Sequence, residues 1–200
     1  VFGERYGRPD AFDGVRFHGM TDRAIVRDGL GRIGLACDEP AIDRVCADYL
    51  EALAEEMPRS DRFRILPGSS SLLESLAGRP GVAVGLGTGN LREGARLKLE
   101  RARLFQHFAF GGFGCDHEDR ATIVRIGAER GAHRLGRPLA TCRVVVIGDT
   151  PRDVAAARAI SAESLAVETG GVSAAELRAA GATWAHPDLT HPAVLPALLS

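Results

Sequence analysis

"VVVIGDTPRDVAAAR", residues 144–158, decides how the chain is read. Four apolar residues, Val144 to Ile147, run into Gly148 without alternation, which is the pattern of a strand covered on both faces. Thr150 and Asp153 then stand at capping-box spacing with Pro151 between them, so a helix is expected to start at once. A strand that turns directly into a helix presents its carboxyl end to a ligand. Asp149 sits at that end, before the cap, where no helix needs an acid. Asp153 has two readings, one as the helix cap and one as a second carboxylate beside Asp149. A hard cation such as Mg²⁺ takes one or two carboxylates and fills its remaining positions with waters and phosphate oxygens. Asp149 and Asp153 are therefore the candidate metal ligands.

Working outward, "GVAVGLG", "FAFGG", "SLAVET" and "ATWAH" are further short apolar runs, separated by helical stretches that begin near Leu91, Asp119, Pro151 and Ser173. This alternation predicts an α/β fold with a doubly wound parallel sheet, a Rossmann-like core, over residues 62–200. Ser69 or Ser70 is expected to cap a helix carrying Leu72, Leu73 and Leu76. Residues 1–61 read differently. Ile42, Val45, Cys46, Tyr49, Leu50, Leu53 and Met57 recur at intervals of three and four, and no strand is evident. A small helical unit is expected there.

Composition narrows the function. With 25 basic and 26 acidic residues the formal charge is −1, which argues against nucleic acid or an anionic membrane as a partner. No apolar stretch approaches the roughly 20 residues of a membrane helix. The four cysteines, Cys37, Cys46, Cys115 and Cys142, form no paired motif and are expected to be reduced, hence a cytoplasmic protein acting on a small molecule.

Two other stretches carry chemistry. In "VGLGTGNLREGARLKLE", residues 84–100, Asn90 and Glu93 have the spacing of a cap and its partner for a helix bearing Leu91, Ala95, Leu97 and Leu99. Capping leaves Thr88 and Gly89 unexplained. A small hydroxyl and a glycine beside helix amides suit a phosphate oxygen, so Thr88, Gly89 and Asn90 are candidate substrate contacts. The glycines at 85, 87 and 89 do not have dinucleotide-binding spacing. In "FGCDHEDRATIVRIG", residues 113–127, Arg120 stands in a first helical turn, where the helix dipole disfavours a cation. An arginine facing Asp149 and Thr88 would neutralise a phosphate or an attacking carboxylate. Cys115, Asp116 and His117 lack the spacing of a zinc site.

Taken in order, these stretches resemble the haloacid dehalogenase-like hydrolases, and within them the phosphoglycolate-phosphatase-like branch. "LGTGN" resembles the second motif of that family, and "VIGDTPRDV" its fourth. Arg120 stands where the family has a basic residue, most often lysine. "FDGVRFHGMTD", "PGSSSLLESL", "KLERARLFQHFAFGGFG" and "VETGG" are similar to its cap and core segments, so the resemblance spans almost the whole chain. It implies a Mg²⁺-dependent phosphatase acting on a small, phosphoglycolate-like monoester through an aspartyl phosphate. Thr88 would bind phosphate, Arg120 would support it, Asp149 would ligate the metal and Asp153 would support or join it. Residues 1–61 would be the cap, with His18, Thr21 and Arg23 as its residues of interest. One departure is plain: the family's D-x-D-x-T nucleophile motif occurs nowhere in the 200 residues. The chain is expected to lack the first, central strand of the sheet, about 10 to 25 residues with the start of its crossover. A phosphomutase, or an inactive phosphate-binding or regulatory relative, would share everything else.

Overall fold

Two side-chain caps start the long helices of the N-terminal part in a computed structural model that describes residues 1–15, 17, 19–61 and 63–200. Thr21 Oγ1 accepts the Ala24 amide and opens α2, Asp22–Arg32. Asp38 Oδ1 accepts the Ala41 amide at 2.8 Å and opens α3, Glu39–Glu56. Their apolar stripes meet: Val26 and Leu30 pack with Ile42, Val45 and Cys46, and Phe2 of α1, Phe2–Tyr6, closes the cluster. Glycine inside a helix costs about 0.5 to 1 kcal/mol relative to alanine. At position 29 it makes room, because a Cβ there would press on the rings of Phe2 and Phe12. Those rings meet edge to face at 4.8 Å. Among the described residues of 1–61 there is no strand.

The α/β part contains α4 (Ser69–Leu76), β1 (Leu86–Gly87), α5 (Arg92–Arg101), β2 (Gly111–Gly112), α6 (Arg120–Arg134) and β3 (Val145–Gly148). It continues with α7 (Pro151–Ala159), β4 (Glu163–Val167), α8 (Ala174–Ala179), β5 (Trp184–His186) and α9 (Val194–Leu199). Each strand coincides with one of the five apolar runs, β4 starting one residue ahead of its run at Glu163, and every pairing is parallel. Both faces of β4 are covered. Leu165 and Val167 pack with Leu72 and Leu76 of α4 and Val194 of α9, whereas Ala166 packs with Val154 of α7 and Leu177 of α8. Helices on the two faces of a parallel sheet make the predicted doubly wound α/β architecture.

Some expectations are corrected. Neither Ser69 nor Ser70 caps α4; the cap position belongs to Gly68, whose φ of 82° and contact with the Leu189 backbone exclude a side chain. α5 begins at Arg92 behind Leu91, so Asn90 is not its cap, and Glu93 pairs with Arg96. β3 is not buried on both faces, because Ile147 is 40% exposed. The reason is the sheet order. The ladder is split into β1–β2 and β3–β4–β5, so among the described residues β1 and β3 each have a neighbour on one side only.

Gly112 is where β2 and α6 touch: a Cβ would overlap the Ile123 carbonyl oxygen. Backbone cannot rotate away as a side chain does. Gly112→Ala is therefore expected to cost about 2 kcal/mol or more in a urea melt.

All four cysteines are free. Burial pushes the Cys46 thiol up to about 11, leaving it unreactive near neutrality. Among the described residues no helix is long and apolar enough to cross a membrane.

Candidate active site

Gly148 shapes the opening stretch. A Cβ on it would overlap the side chain of Asp153, so only glycine lets that carboxylate fold back under the end of β3. There Asp153 Oδ2 accepts the Asp149 amide at 3.2 Å, the Thr150 amide at 3.1 Å and the Thr150 hydroxyl at 2.8 Å. The predicted capping box is thus present, with Thr150 Oγ1 accepting from Asp153 N. Asp153 Oδ1 takes Arg120, through Nε at 2.7 Å and Nη2 at 2.5 Å. Arg120 opens α6 against the helix dipole because its partner lies across the sheet edge on α7. Asp153 is buried and Arg120 partly so, with 7% and 24% of their side chains exposed.

Asp149 differs from Asp153. It is half-buried, and among the described residues its one side-chain hydrogen bond is from the Thr169 hydroxyl, which donates to Oδ2 at 3.5 Å. Its carboxyl is raised above the ordinary range, first by burial and then by the charge of Asp153. Gly170 lies so close that a Cβ would meet the Asp149 carboxylate. Thr169 and Gly170 belong to the "VETGG" segment, whose role beside Asp149 the pattern of the sequence does not disclose.

Thr88 follows β1. Its amide donates to Gly112 O at 3.0 Å, and its hydroxyl oxygen accepts the Asn90 amide at 3.1 Å. Gly89 and Asn90 are occupied with the helical part. The Gly89 carbonyl accepts the Asp22 amide at 2.8 Å, and a Cβ at position 89 would collide with the Met20 backbone. Asn90 Nδ2 donates to Asp22 Oδ1 at 3.0 Å, while Asp22 Oδ2 accepts the Leu91 amide at 2.8 Å. Lys98 Nζ donates to Asn90 Oδ1 at 3.2 Å and to the Tyr49 hydroxyl at 3.1 Å. Asp22, Tyr49 and Lys98 escaped the sequence reading. For Lys98 a signal existed: Leu91, Gly94, Ala95 and Lys98 are spaced along one face of α5, and that face is the buried one.

Thr88, Gly89, Asn90, Arg120, Asp149 and Asp153 all line one cavity of about 700 Å³. Its opposite wall comes from residues before position 50, including Phe12, Met20, Ile25, Val26 and Tyr49. Thr21 and Arg23 have structural duties. Thr21 caps α2, and Arg23 forms ion pairs with Glu39 and Asp43. His18 lies outside the described residues.

A divalent cation suits one of these carboxylates better than the other. Asp149 fits, being a carboxylate with open lone pairs and no cation paired to it among the described residues. The oxygens of Asp153 already have their donors, which suits it to hold Arg120 and the loop amides around a metal rather than to bind one directly. Among the described residues no three His, Cys, Asp or Glu side chains converge on a metal position. Mg²⁺ does not need such a cage, since it keeps several waters and shares phosphate oxygens. The Cys115 loop is committed elsewhere. Asp116 accepts from Arg130 at 2.7 and 2.8 Å and from the Phe113 amide at 2.9 Å.

Arg130 first, and the Phe113 amide after it, hold the Asp116 carboxyl below its ordinary range against the opposing effect of burial. A carboxyl bound more weakly to its proton when folded stabilises the fold above the ordinary carboxylate pKa. That contribution disappears as pH falls through the depressed value. Asp116→Asn is therefore expected to lose about 1 to 2 kcal/mol at pH 7, with the gap to the parent closing below about pH 4. Urea melts across that range measure it.

Comparison with known proteins follows the same lines. One solved structure, the crystal structure of a hydrolase from Pseudomonas syringae, matches with a TM-score of 0.67 at 21% identity, over 92% of this chain and 81% of that one. At that identity the likeness speaks for the fold. No match is found among curated proteins. The model of one family covers residues 11–161, three quarters of the sequence, and on that match the chain belongs to the haloacid dehalogenase-like hydrolases.

Proposed function

We propose that the protein is a Mg²⁺-dependent phosphatase that hydrolyses a small phosphate monoester, phosphoglycolate-like in size, through an aspartyl-phosphate intermediate. The observation that carries this reading is convergence. Thr88, Arg120 and Asp149 come from three separate stretches and line one cavity at the carboxyl ends of parallel strands. The attacking aspartate would come from a strand outside these 200 residues, entering between β1 and β3. The one-sided pairing of both strands and the exposure of Ile147 support that seam.

In this mechanism the Thr88 hydroxyl donates to a phosphoryl oxygen while its own oxygen is held by the Asn90 amide. The attacking carboxylate forms a bond to phosphorus as the ester P–O bond breaks, and a second acid on the same strand protonates the departing oxygen. Water then attacks phosphorus, releasing inorganic phosphate and the free carboxylate. Arg120, kept in place by Asp153, supplies positive potential beside the transferring group. When bound at Asp149, Mg²⁺ would neutralise phosphoryl charge. The apolar wall contributed by α2 and α3 excludes bulk water. The scattered spacing of the four cysteines, without a paired motif, suits a reducing compartment, the cytoplasm.

The full-length protein with Mg²⁺ is expected to release phosphate from several members of a panel of small monoesters, to stop on chelation and to recover on adding Mg²⁺. Failure on every ester would overturn the reading. Binding of inorganic phosphate without turnover would mark an inactive relative, and isomerisation without release a mutase.

A further inference from the structure

Asp22 stands in the first turn of α2, yet its carboxylate does not serve that helix. Thr21 already caps α2 by accepting the Ala24 amide. Asp22 is buried, 8% exposed, and both its carboxylate oxygens reach the other part of the chain. Oδ1 accepts Asn90 Nδ2 at 3.0 Å, Oδ2 accepts the Leu91 amide at 2.8 Å, and the Asp22 amide donates to Gly89 O at 2.8 Å. Three bonds thus clasp residues 89–91, the segment that follows Thr88. The two backbones also approach closely, since a Cβ on Gly89 would meet the Met20 carbonyl oxygen and the Thr21 Cα.

Asn90 passes this hold on. Its side-chain amide lies between a carboxylate and an ammonium, with Nδ2 towards Asp22 and Oδ1 towards Lys98 Nζ, and a flipped amide would lose both bonds. Lys98 belongs to the same network: burial lowers its pKa, and the charge of Asp22 opposes that shift. With the side chain held at both ends, the Asn90 backbone amide is aimed at Thr88 Oγ1, 3.1 Å away. A hydroxyl has two acceptor positions and one O–H donor. An amide on one acceptor position selects a rotamer and leaves the O–H for the cavity, which Thr88, Asn90 and Asp22 line together. We infer that Asp22 is a positioning residue for Thr88: from the helical part of the chain it sets Asn90, and through Asn90 the hydroxyl that receives phosphate. The inference rests on the phosphatase reading for the ligand of Thr88. It goes beyond that reading in making a carboxylate of residues 1–61 part of the phosphate loop.

The test follows Thr88 in full-length protein with Mg²⁺. In the parent, the three-bond couplings of a ¹³C-labelled Thr88 methyl should report one χ1 rotamer. Asp22→Asn sets an NH₂ against a donor, and the couplings should become an average over several rotamers. Affinity for inorganic phosphate, by calorimetry, and kcat/KM on a small monoester should both fall about 10- to 100-fold in protein that still melts cooperatively. The swap of Asp22→Asn with Asn90→Asp exchanges donor and acceptor across the same contact, and should return the couplings to one rotamer. In a Thr88→Val background, Asp22→Asn should change phosphate affinity by less than about twofold, whereas a role in stability alone would act in both backgrounds. Unaveraged couplings in Asp22→Asn, averaged ones in the swap, an unchanged phosphate affinity, or a loss that multiplies with that of Thr88→Val would each overturn the inference. If Asp22→Asn does not fold, Asn90→Ala takes its place with the same expectations, because it removes only the receiving side chain. If the parent neither binds phosphate nor hydrolyses any ester, the phosphatase reading fails, and the couplings alone decide whether Asp22 positions Thr88.

Discussion

Replacing Asp149 by asparagine is expected to reduce phosphate release by about 10³-fold or more, without lowering the melting temperature of the metal-free protein. Both halves follow from its surroundings. Its carboxylate lines the cavity, and among the described residues its one side-chain hydrogen bond is the long one from Thr169. An amide of the same shape keeps that contact and loses the repulsion from Asp153. The two measurements are a steady-state phosphate assay and a thermal melt. An active variant would show that Asp149 does not act on the phosphoryl group. An inactive but unfolded one would show that the residue is structural.

Asp153→Ala is expected to have the larger effect on the fold. It removes the acceptor of two loop amides and a hydroxyl and leaves the partly buried Arg120 guanidinium without its partner. Breaking one side of a buried pair costs about 3 to 5 kcal/mol. Arg120→Met should cost less, because the carboxylate keeps its backbone donors. In the double variant the two losses should not add, with a coupling of at least about 1 kcal/mol in urea melts. Additive losses would mean that the pair is not coupled, and Arg120 would then be free to serve substrate alone.

How much of this was legible in the sequence depends on the kind of signal. The turn at 148–153 was readable because strand, glycine, cap and proline are local, and local geometry is written in neighbouring residues. The five apolar runs likewise became five parallel strands. What failed was non-local. Ser69, Ser70 and Asn90 have good capping chemistry, but Gly68 has to pass the Leu189 backbone, and Asn90 is drawn to Asp22, 68 positions earlier. No spacing rule connects such pairs. Gly89 looked like a phosphate contact, yet the approach of Met20 also demands a glycine there. Asp22 was hidden by being ordinary, an acid in a first helical turn. Lys98 was visible in principle as a charge on the buried face of α5.

The covalent intermediate tests the central claim most directly. Full-length protein turning over a ³²P-labelled monoester and quenched in acid should carry protein-bound label that hydroxylamine releases. Peptide mapping should find that label on an aspartate of a segment outside residues 1–200. Turnover without any trapped label, or label on a residue within this chain, would contradict a nucleophile that enters the seam between β1 and β3.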